Sequence, residues 1–185
     1  MSDFYTELSA DPSPILLADT KNWLKIPPTM TADDDLIQVL IDACTQWGER
    51  YTGRDFRIKS WSLQTDCLTD RNPVCRSLVT AINSIDYLKD GIPTTINATT
   101  YYLHQRRWGS DVVLAAGESW PTDVDDIDHA YTIVFATAPI VDVAALKIAL
   151  YKHVAECYTS RGDCKSAATH CGVKSIYDQI KITRI

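Results

Sequence analysis

The sequence has no apolar segment long enough to cross a bilayer, and the apolar run "AALKIAL" already contains a lysine. A membrane-spanning helix needs about 20 consecutive apolar residues. The opening residues, "MSDFYTELSADPSPILL", also lack the basic and then apolar regions of a signal peptide. These absences predict a protein that is made and kept in the cytoplasm.

The sequence also lacks the short motifs that mark common active sites. It contains no nucleophile elbow, phosphate-binding loop, dinucleotide-binding fingerprint or zinc-protease motif. A calcium-binding loop that started at Asp123, in the acidic segment "DVDDIDH", would have Asp128 and Val134 where Gly and Glu are required. We therefore expect no enzyme activity, no metal and no cofactor.

Six cysteines are present, but none of them forms a C-x-x-C pair. Zinc ligands usually come in such tight pairs, and Gly162 interrupts any continuous helix through the last three cysteines. We expect buried or half-buried thiols. The alternative that stays open is a metal- or thiol-dependent enzyme that uses His153, Cys157 and Cys164.

The sequence also has few positive charges. It contains 18 Lys and Arg residues and 24 Asp and Glu residues, so its net charge is −6. Proteins that grip nucleic acid over a broad face need concentrated positive charge. A negative surface instead suits a protein past which DNA slides without sticking. One basic and aromatic cluster, Arg106, Arg107 and Trp108, keeps open the alternative of a DNA-binding module, although a hairpin tip packed on a sheet is the simpler interpretation.

Helical periodicity dominates both ends of the chain. A short helix is predicted from Asp19 to Pro27, and a long one from an N-cap at Thr31 to a C-terminal Gly53. The long helix places Trp47 and Tyr51 on its apolar face. A third helix is predicted from Asp142 to Gly162.

The middle of the chain alternates with a period of two. "IKSWSLQTD" and "YTIVFATA" are typical strands, and Asp90-Gly91 is a strong turn signal. The sequence therefore predicts an α+β fold with a helical core, an inserted antiparallel β-rich subdomain and an extended C-terminal arm. The predicted boundaries are an N-terminal arm at 1–14, a helical core at 15–53 and 142–162, a β-rich insertion at 54–141 and the C-terminal arm at 163–185.

The order of these elements resembles a known family. The segments that carry the resemblance are "LADTKNWLKI", "DDDLIQVLIDACTQWGERYTGRDF", "PVCRSLVTAINSIDYLKDG", the Trp120-Pro121 step and the last long helix with its "YTSR" end. Over residues 15–162 this order is similar to that of the head–tail connector proteins of tailed bacteriophages, also called adaptor or head-completion proteins.

The resemblance implies a structural virion protein of the neck, assembled in the host cytoplasm. Members form a ring, usually of twelve copies, under the portal and around the DNA exit channel, and they also contact a downstream neck or tail protein. DNA would pass through the ring without sequence-specific binding. Another neck or tail-completion protein, such as a stopper or terminator, remains an alternative.

The resemblance also implies roles for three sets of residues. The ring interface is expected at Trp47, Arg50, Tyr51, Arg54 and Asp55. The C-terminal arm is expected to dock on the portal, and the loop at Arg106, Arg107 and Trp108 is expected to face the tail or lie near DNA. The docking residues of the arm are Tyr177, Ile180, Ile182 and Ile185.

Overall fold

The computed structural model describes residues 4–74, 78–106, 109–139, 143–160 and 171–181. Eight strands and four helices lie in these residues, which confirms the predicted α+β class. The described residues form two compact units: a β unit within Met1–Asp11 and Ile58–Pro139, and a helical unit within Pro12–Arg57 and Ile140–Ile185. None of the helices in the described ranges has the length and apolarity that crossing a membrane requires.

The helical unit contains four helices, namely α1 (Leu17–Trp23), α2 (Asp34–Thr52), α3 (Val143–Thr159) and α4 (Cys171–Ile180). Helix α2 packs against the other three, so it forms the centre of this unit. Its buried residues recur at helical spacing and meet apolar side chains of α3 and α4 in one core. Ile37, Ile41, Leu146, Leu150 and Val154 are almost completely excluded from solvent there.

The two ends of α2 compare differently with the sequence prediction. The predicted left-handed Gly53 is confirmed, with a φ of 69° and its N–H bonded to the Glu49 carbonyl at 3.0 Å. The predicted N-cap at Thr31 is wrong, because the cap is Asp33 and its side chain makes no capping bond. The Asp34 carboxylate instead accepts a 2.6 Å hydrogen bond from Lys21 Nζ. This buried ammonium group also donates hydrogen bonds to the carbonyls of Pro28 and Met30.

The β unit contains two antiparallel sheets. The larger sheet has the strand order β1-β2-β8-β4-β5 and the smaller one has the order β3-β7-β6. In the larger sheet the strands are β1 (Phe4–Ala10), β2 (Lys59–Thr65), β8 (Tyr131–Thr137), β4 (Val79–Lys89) and β5 (Ile92–Thr95). In the smaller sheet they are β3 (Arg71–Val74), β7 (Gly109–Leu114) and β6 (Tyr101–Arg106).

Strands β2 and β8 show the predicted alternation, since every second residue in each of them is buried. Their inward side chains, including Trp61 and Phe135, share one core with residues of the smaller sheet such as Val112. The predicted Asp90-Gly91 turn joins β4 to β5. Both residues have positive φ, 52° and 73°, as a tight two-residue hairpin turn requires.

Both predicted arms contain regular structure instead. Residues Phe4–Ala10, within the predicted loose N-terminal arm, form β1 and pair with β2. Residues Cys171–Ile180, within the predicted extended C-terminal arm, form α4. The reason for the second difference is the spacing of Val173, Ile176, Tyr177 and Ile180, which follows a helical period; Val173 and Tyr177, one turn apart, are fully buried.

Candidate functional site

Two of the three predicted sets of site residues meet in the helical unit, where the C-terminal end of α2 packs against α4. Tyr177 of α4 lies at the centre of this contact. Its ring centroid is 5.7 Å from that of Trp47, 6.4 Å from Tyr51, 6.1 Å from Phe56 and 6.0 Å from His153. We call these five residues the aromatic cluster. Such ring pairs contribute stabilisation beyond the area that they bury.

Polar contacts hold the same helix ends together. Tyr51 Oη donates a 2.5 Å hydrogen bond to Asp178, and Arg54 Nε donates a 2.5 Å bond to the Ile180 carbonyl. Lys181 Nζ lies 4.4 Å from the centroid of the Tyr51 ring. The hydrogen bond to the Asp178 carboxylate raises the pKa of Tyr51, and partial burial lowers the pKa of Arg54. Residues from the predicted ring interface therefore bind the C-terminal helix of their own subunit.

Glu49 closes the turn that follows α2. Its buried carboxylate accepts a 3.0 Å hydrogen bond from the Phe56 N–H and lies 3.5 Å from Arg57 Nε. These contacts fix residues 53–57, the last residues of the helical unit before β2. Glu49 is thus one of the residues that hold the short segment after α2 in place.

Gly48 allows the aromatic cluster to pack closely on α2. A Cβ atom at this position would lie 2.5 Å from Cε2 of Phe56 and 3.2 Å from Cζ of Tyr177. Both rings are fully buried, so neither has free space into which it can move. Glycine is unfavourable inside a helix by about 1 kcal/mol relative to alanine, and this close approach explains its presence here.

We expect Gly48→Ala to lower the free energy of unfolding by about 1–3 kcal/mol, because the overpacking cost exceeds the gain in helix propensity. The matched control is Gly172→Ala in α4, where an added Cβ meets no atom within 4 Å. That variant is expected to be as stable as the wild type or up to about 1 kcal/mol more stable. Urea unfolding followed by circular dichroism measures both; equal stability of the two variants would contradict the packing argument.

The five predicted ring-interface residues differ in their exposure. Arg50 is exposed, whereas Trp47, Tyr51 and Arg54 are half-buried by contacts within the helical unit. Asp55 is only 3% exposed, so its side chain lies inside its own subunit. Of these five residues, Arg50 is the one with an exposed side chain.

The other two predicted sets are only partly described. In the C-terminal set, Tyr177 is fully buried in the aromatic cluster and Ile180 is half-buried, while Ile182 and Ile185 lie outside the described residues. In the β6–β7 hairpin, the Arg106 guanidinium is paired with the buried Asp111 carboxylate. Arg107 and Trp108 lie outside the described residues. The buried position of Tyr177 follows from packing on α2, which its local sequence does not reveal.

Helix α2 also carries an exposed stripe that was not predicted from the sequence. Leu36, Val39, Ala43, Gln46 and Arg50 are all exposed and follow one another at spacings of three and four residues. The two large apolar members, Leu36 and Val39, are 49% and 64% exposed. We call these five residues the outer stripe. Helical spacing predicts Leu36 on the apolar face of α2, which is wrong because it is exposed; Val39 is the apolar residue that falls outside that face.

Three buried side chains in the helical unit have the chemistry of metal ligands. They are Cys44 of α2 with His153 and Cys157 of α3. The alternative left open by the sequence groups His153 and Cys157 with Cys164, which lies outside the described residues. Of the remaining cysteines, Cys67 is exposed in the β unit, contrary to the expectation of burial.

Residues 14–105 match the family model described as phage gp6-like head–tail connector protein. A search among curated proteins returned no significant match.

Solved structures are similar to the chain over nearly its whole length. A protein of the "neck of empty GTA particle computed with C6 symmetry" has 16% identity and a TM-score of 0.78, covering 98% of this chain and 97% of that one. Chains of the virion of the native gene transfer agent (GTA) particle, and of the neck of the native particle computed with C12 symmetry, each have 17% identity and a TM-score of 0.76 at the same coverage. At such identities the likeness shows a shared fold.

Proposed function

The chain belongs to the phage gp6-like head–tail connector family, and from this membership we propose that it is the neck protein that joins head to tail in a phage-like particle. The family consists of structural connector proteins, not of enzymes. The observation that carries the proposal is the family match over residues 14–105, supported by a fold shared with neck proteins over 98% of the chain.

The proposed assembly is a closed ring of twelve copies that surrounds the DNA channel under the portal. Support comes from the similar necks, which were computed with C6 and C12 symmetry. The net charge of −6 suits a channel wall from which DNA is repelled rather than held. The further partners are the portal protein above the ring and a neck or tail protein below it, and the ring assembles in the host cytoplasm.

The outer stripe of α2 is the proposed surface for a neighbouring copy. Contacts in a ring are heterologous, so the stripe meets a different surface on the next subunit. Its apolar half at Leu36 and Val39 gains from leaving water, and its charged end at Arg50 provides specificity. Trp47, Tyr51 and Arg54 take part through the portion of each side chain that stays exposed, whereas Asp55, at 3% exposed, does not contact a neighbouring copy directly.

The end of α4 is the proposed attachment to the portal. Ile180 is the last residue of α4, and the segment that follows contains Ile182 and Ile185. A segment in which apolar and polar residues alternate in this way can add to a partner surface as a strand. A stopper or terminator would lie elsewhere in the neck, so an image of the assembled particle distinguishes these alternatives by ring position.

We expect Val39→Glu to prevent ring formation while leaving the subunit folded. A carboxylate replaces a side chain that is 64% exposed in the single subunit but loses water in the ring. A cost of 1.4 kcal/mol per contact weakens each contact about tenfold, and a closed ring multiplies this loss over its contacts. Native mass spectrometry with the portal, and cryo-electron microscopy of necks, measure the number of copies bound.

The matched control is Ile127→Glu, the same kind of change at an apolar residue of the β unit that is 52% exposed. Rings should form with this variant at wild-type yield. Circular dichroism and thermal melting establish that both variants are folded. Complete rings of Val39→Glu subunits would contradict the interface, and failure of the wild type to bind any portal or neck protein would contradict the function itself.

A further inference from the structure

Two thiols and an imidazole come together in the core of the helical unit. Cys44 Sγ and Cys157 Sγ are 3.7 Å apart, and a ring nitrogen of His153 lies within 4.8 Å of both sulfur atoms. All three side chains are buried, with His153 only 1% exposed. Buried Cys and His side chains this close together are the ligand types that bind zinc and other thiophilic metals.

The helices bring these residues together in the way that bundle metal sites are built. His153 and Cys157 are four residues apart on α3, so they share one face of that helix. Cys44 approaches from α2, which packs directly against α3. Metal sites inside helical bundles use side chains projecting inward from facing helices, often with one helix supplying two ligands a turn apart.

We propose that Cys44, His153 and Cys157 bind one Zn²⁺ ion, which links α2 to α3 in the core of the helical unit. Binding displaces the two thiol protons to solvent, so two thiolates and one divalent cation leave the buried site without net charge. A monovalent ion such as Cu⁺ would leave one negative charge in an apolar core, which is unfavourable. The site is structural, and its role is independent of the proposed ring and portal contacts.

Two further features of the site support this assignment. Two Zn–S bonds of about 2.3 Å at a tetrahedral angle place their sulfur atoms about 3.8 Å apart, close to the distance between Cys44 and Cys157. His153 Nδ1 lies 3.4 Å from Tyr177 Oη, while Nε2 is buried and has no hydrogen-bond partner among the described residues. A metal-bound imidazole commonly has one nitrogen on the ion and its other nitrogen on a hydrogen-bonding group, and the Tyr177 hydroxyl is such a group.

The competing explanation is a thiol–thiol hydrogen bond in an ordinary apolar core. The 3.7 Å separation fits that contact as well. It leaves the buried Nε2 of His153 unexplained, because a buried nitrogen without a partner costs free energy. The two explanations differ in one measurable property, the stoichiometric uptake of metal.

The test uses the full chain, purified under reducing conditions, incubated with Zn²⁺ and then desalted for metal analysis. We expect one zinc per chain and a rise in Tm of about 5–10 °C when zinc is in hundredfold excess over its Kd. Co²⁺ in place of Zn²⁺ should give thiolate-to-cobalt charge-transfer absorption. Cys44→Ser and Cys157→Ser should lose the zinc, the absorption and the rise in Tm.

The matched control is Cys67→Ser, because Cys67 is exposed in the β unit and the chemical change is the same. It should keep one zinc per chain. If the core serine variants do not fold, the zinc content and the cobalt spectrum of the wild type decide between the zinc site and the thiol pair. A wild type without stoichiometric zinc, or a folded Cys44→Ser variant that binds as much zinc as the wild type, would overturn the proposal in favour of a packed thiol pair.

Discussion

A Tyr177→Ala variant is expected to lose about 3–5 kcal/mol of the free energy of unfolding of the helical unit. Tyr177 is fully buried, and its ring contacts those of Trp47, Tyr51, Phe56 and His153. Truncation opens a cavity against rigid neighbours. Because these neighbours come from α2, α3 and the turn after α2, the variant should loosen the attachment of α4 as a whole.

Urea unfolding and native-state hydrogen exchange of α4 amides measure this effect. The matched control is Tyr102→Ala, since Tyr102 is 50% exposed on β6, and a surface change of this kind stays within about 0.5 kcal/mol. A loss of less than about 1 kcal/mol for Tyr177→Ala would mean that the aromatic cluster does not hold α4 in place.

A second variant, Tyr177→Phe, isolates the hydroxyl. Burial raises the pKa of Tyr177 above its ordinary value of 10.0. The unfolded chain therefore releases this proton more readily, so the stability that the buried tyrosine contributes is complete below pH 10 and declines above it. The expected decline is about 1.4 kcal/mol in total between pH 9 and 11, and Tyr177→Phe should remove it from unfolding curves recorded over that range. Identical slopes in the two proteins would refute this origin.

Glu49→Ala is expected to lower the free energy of unfolding by about 3 kcal/mol and to make the turn between α2 and β2 less ordered. The Glu49 carboxylate is 7% exposed and accepts the Phe56 N–H at 3.0 Å beside Arg57. Its removal takes this acceptor away from the Phe56 N–H. It also removes a negative charge beside the Arg57 side chain, which is 13% exposed. Phe56 would lose its fixed position against Gly48 and Tyr177.

Glu49→Gln separates the two parts of this effect. The amide oxygen still accepts the Phe56 N–H but no longer balances Arg57, so we expect a smaller loss of about 1–2 kcal/mol. Glu118→Ala, at an exposed glutamate of the β unit, is the control and should change stability by less than about 0.5 kcal/mol. A Glu49→Ala variant as stable as this control would contradict the role of Glu49 in holding the turn.

Much of the secondary structure could be read from local patterns. The alternation in β2 and β8, the Asp90-Gly91 turn and the left-handed Gly53 at the end of α2 are each dictated by a few neighbouring residues. The order of elements was also sufficient to identify the connector family, which the match over residues 14–105 supports. These features depend on backbone conformation and periodicity, so they are present in the sequence itself.

The positions of the candidate site residues depend on contacts between residues that are far apart in the chain. The pairing of Asp34 with Lys21, and the position of Tyr177 in a core rather than on an arm, are decided by neighbours that no local window contains. The same holds for Cys44 beside Cys157, which are 113 residues apart in sequence. Local periodicity determined which segments are helices and strands, whereas side-chain packing decided which faces stay free for partners, because burial is a property of the folded surface as a whole.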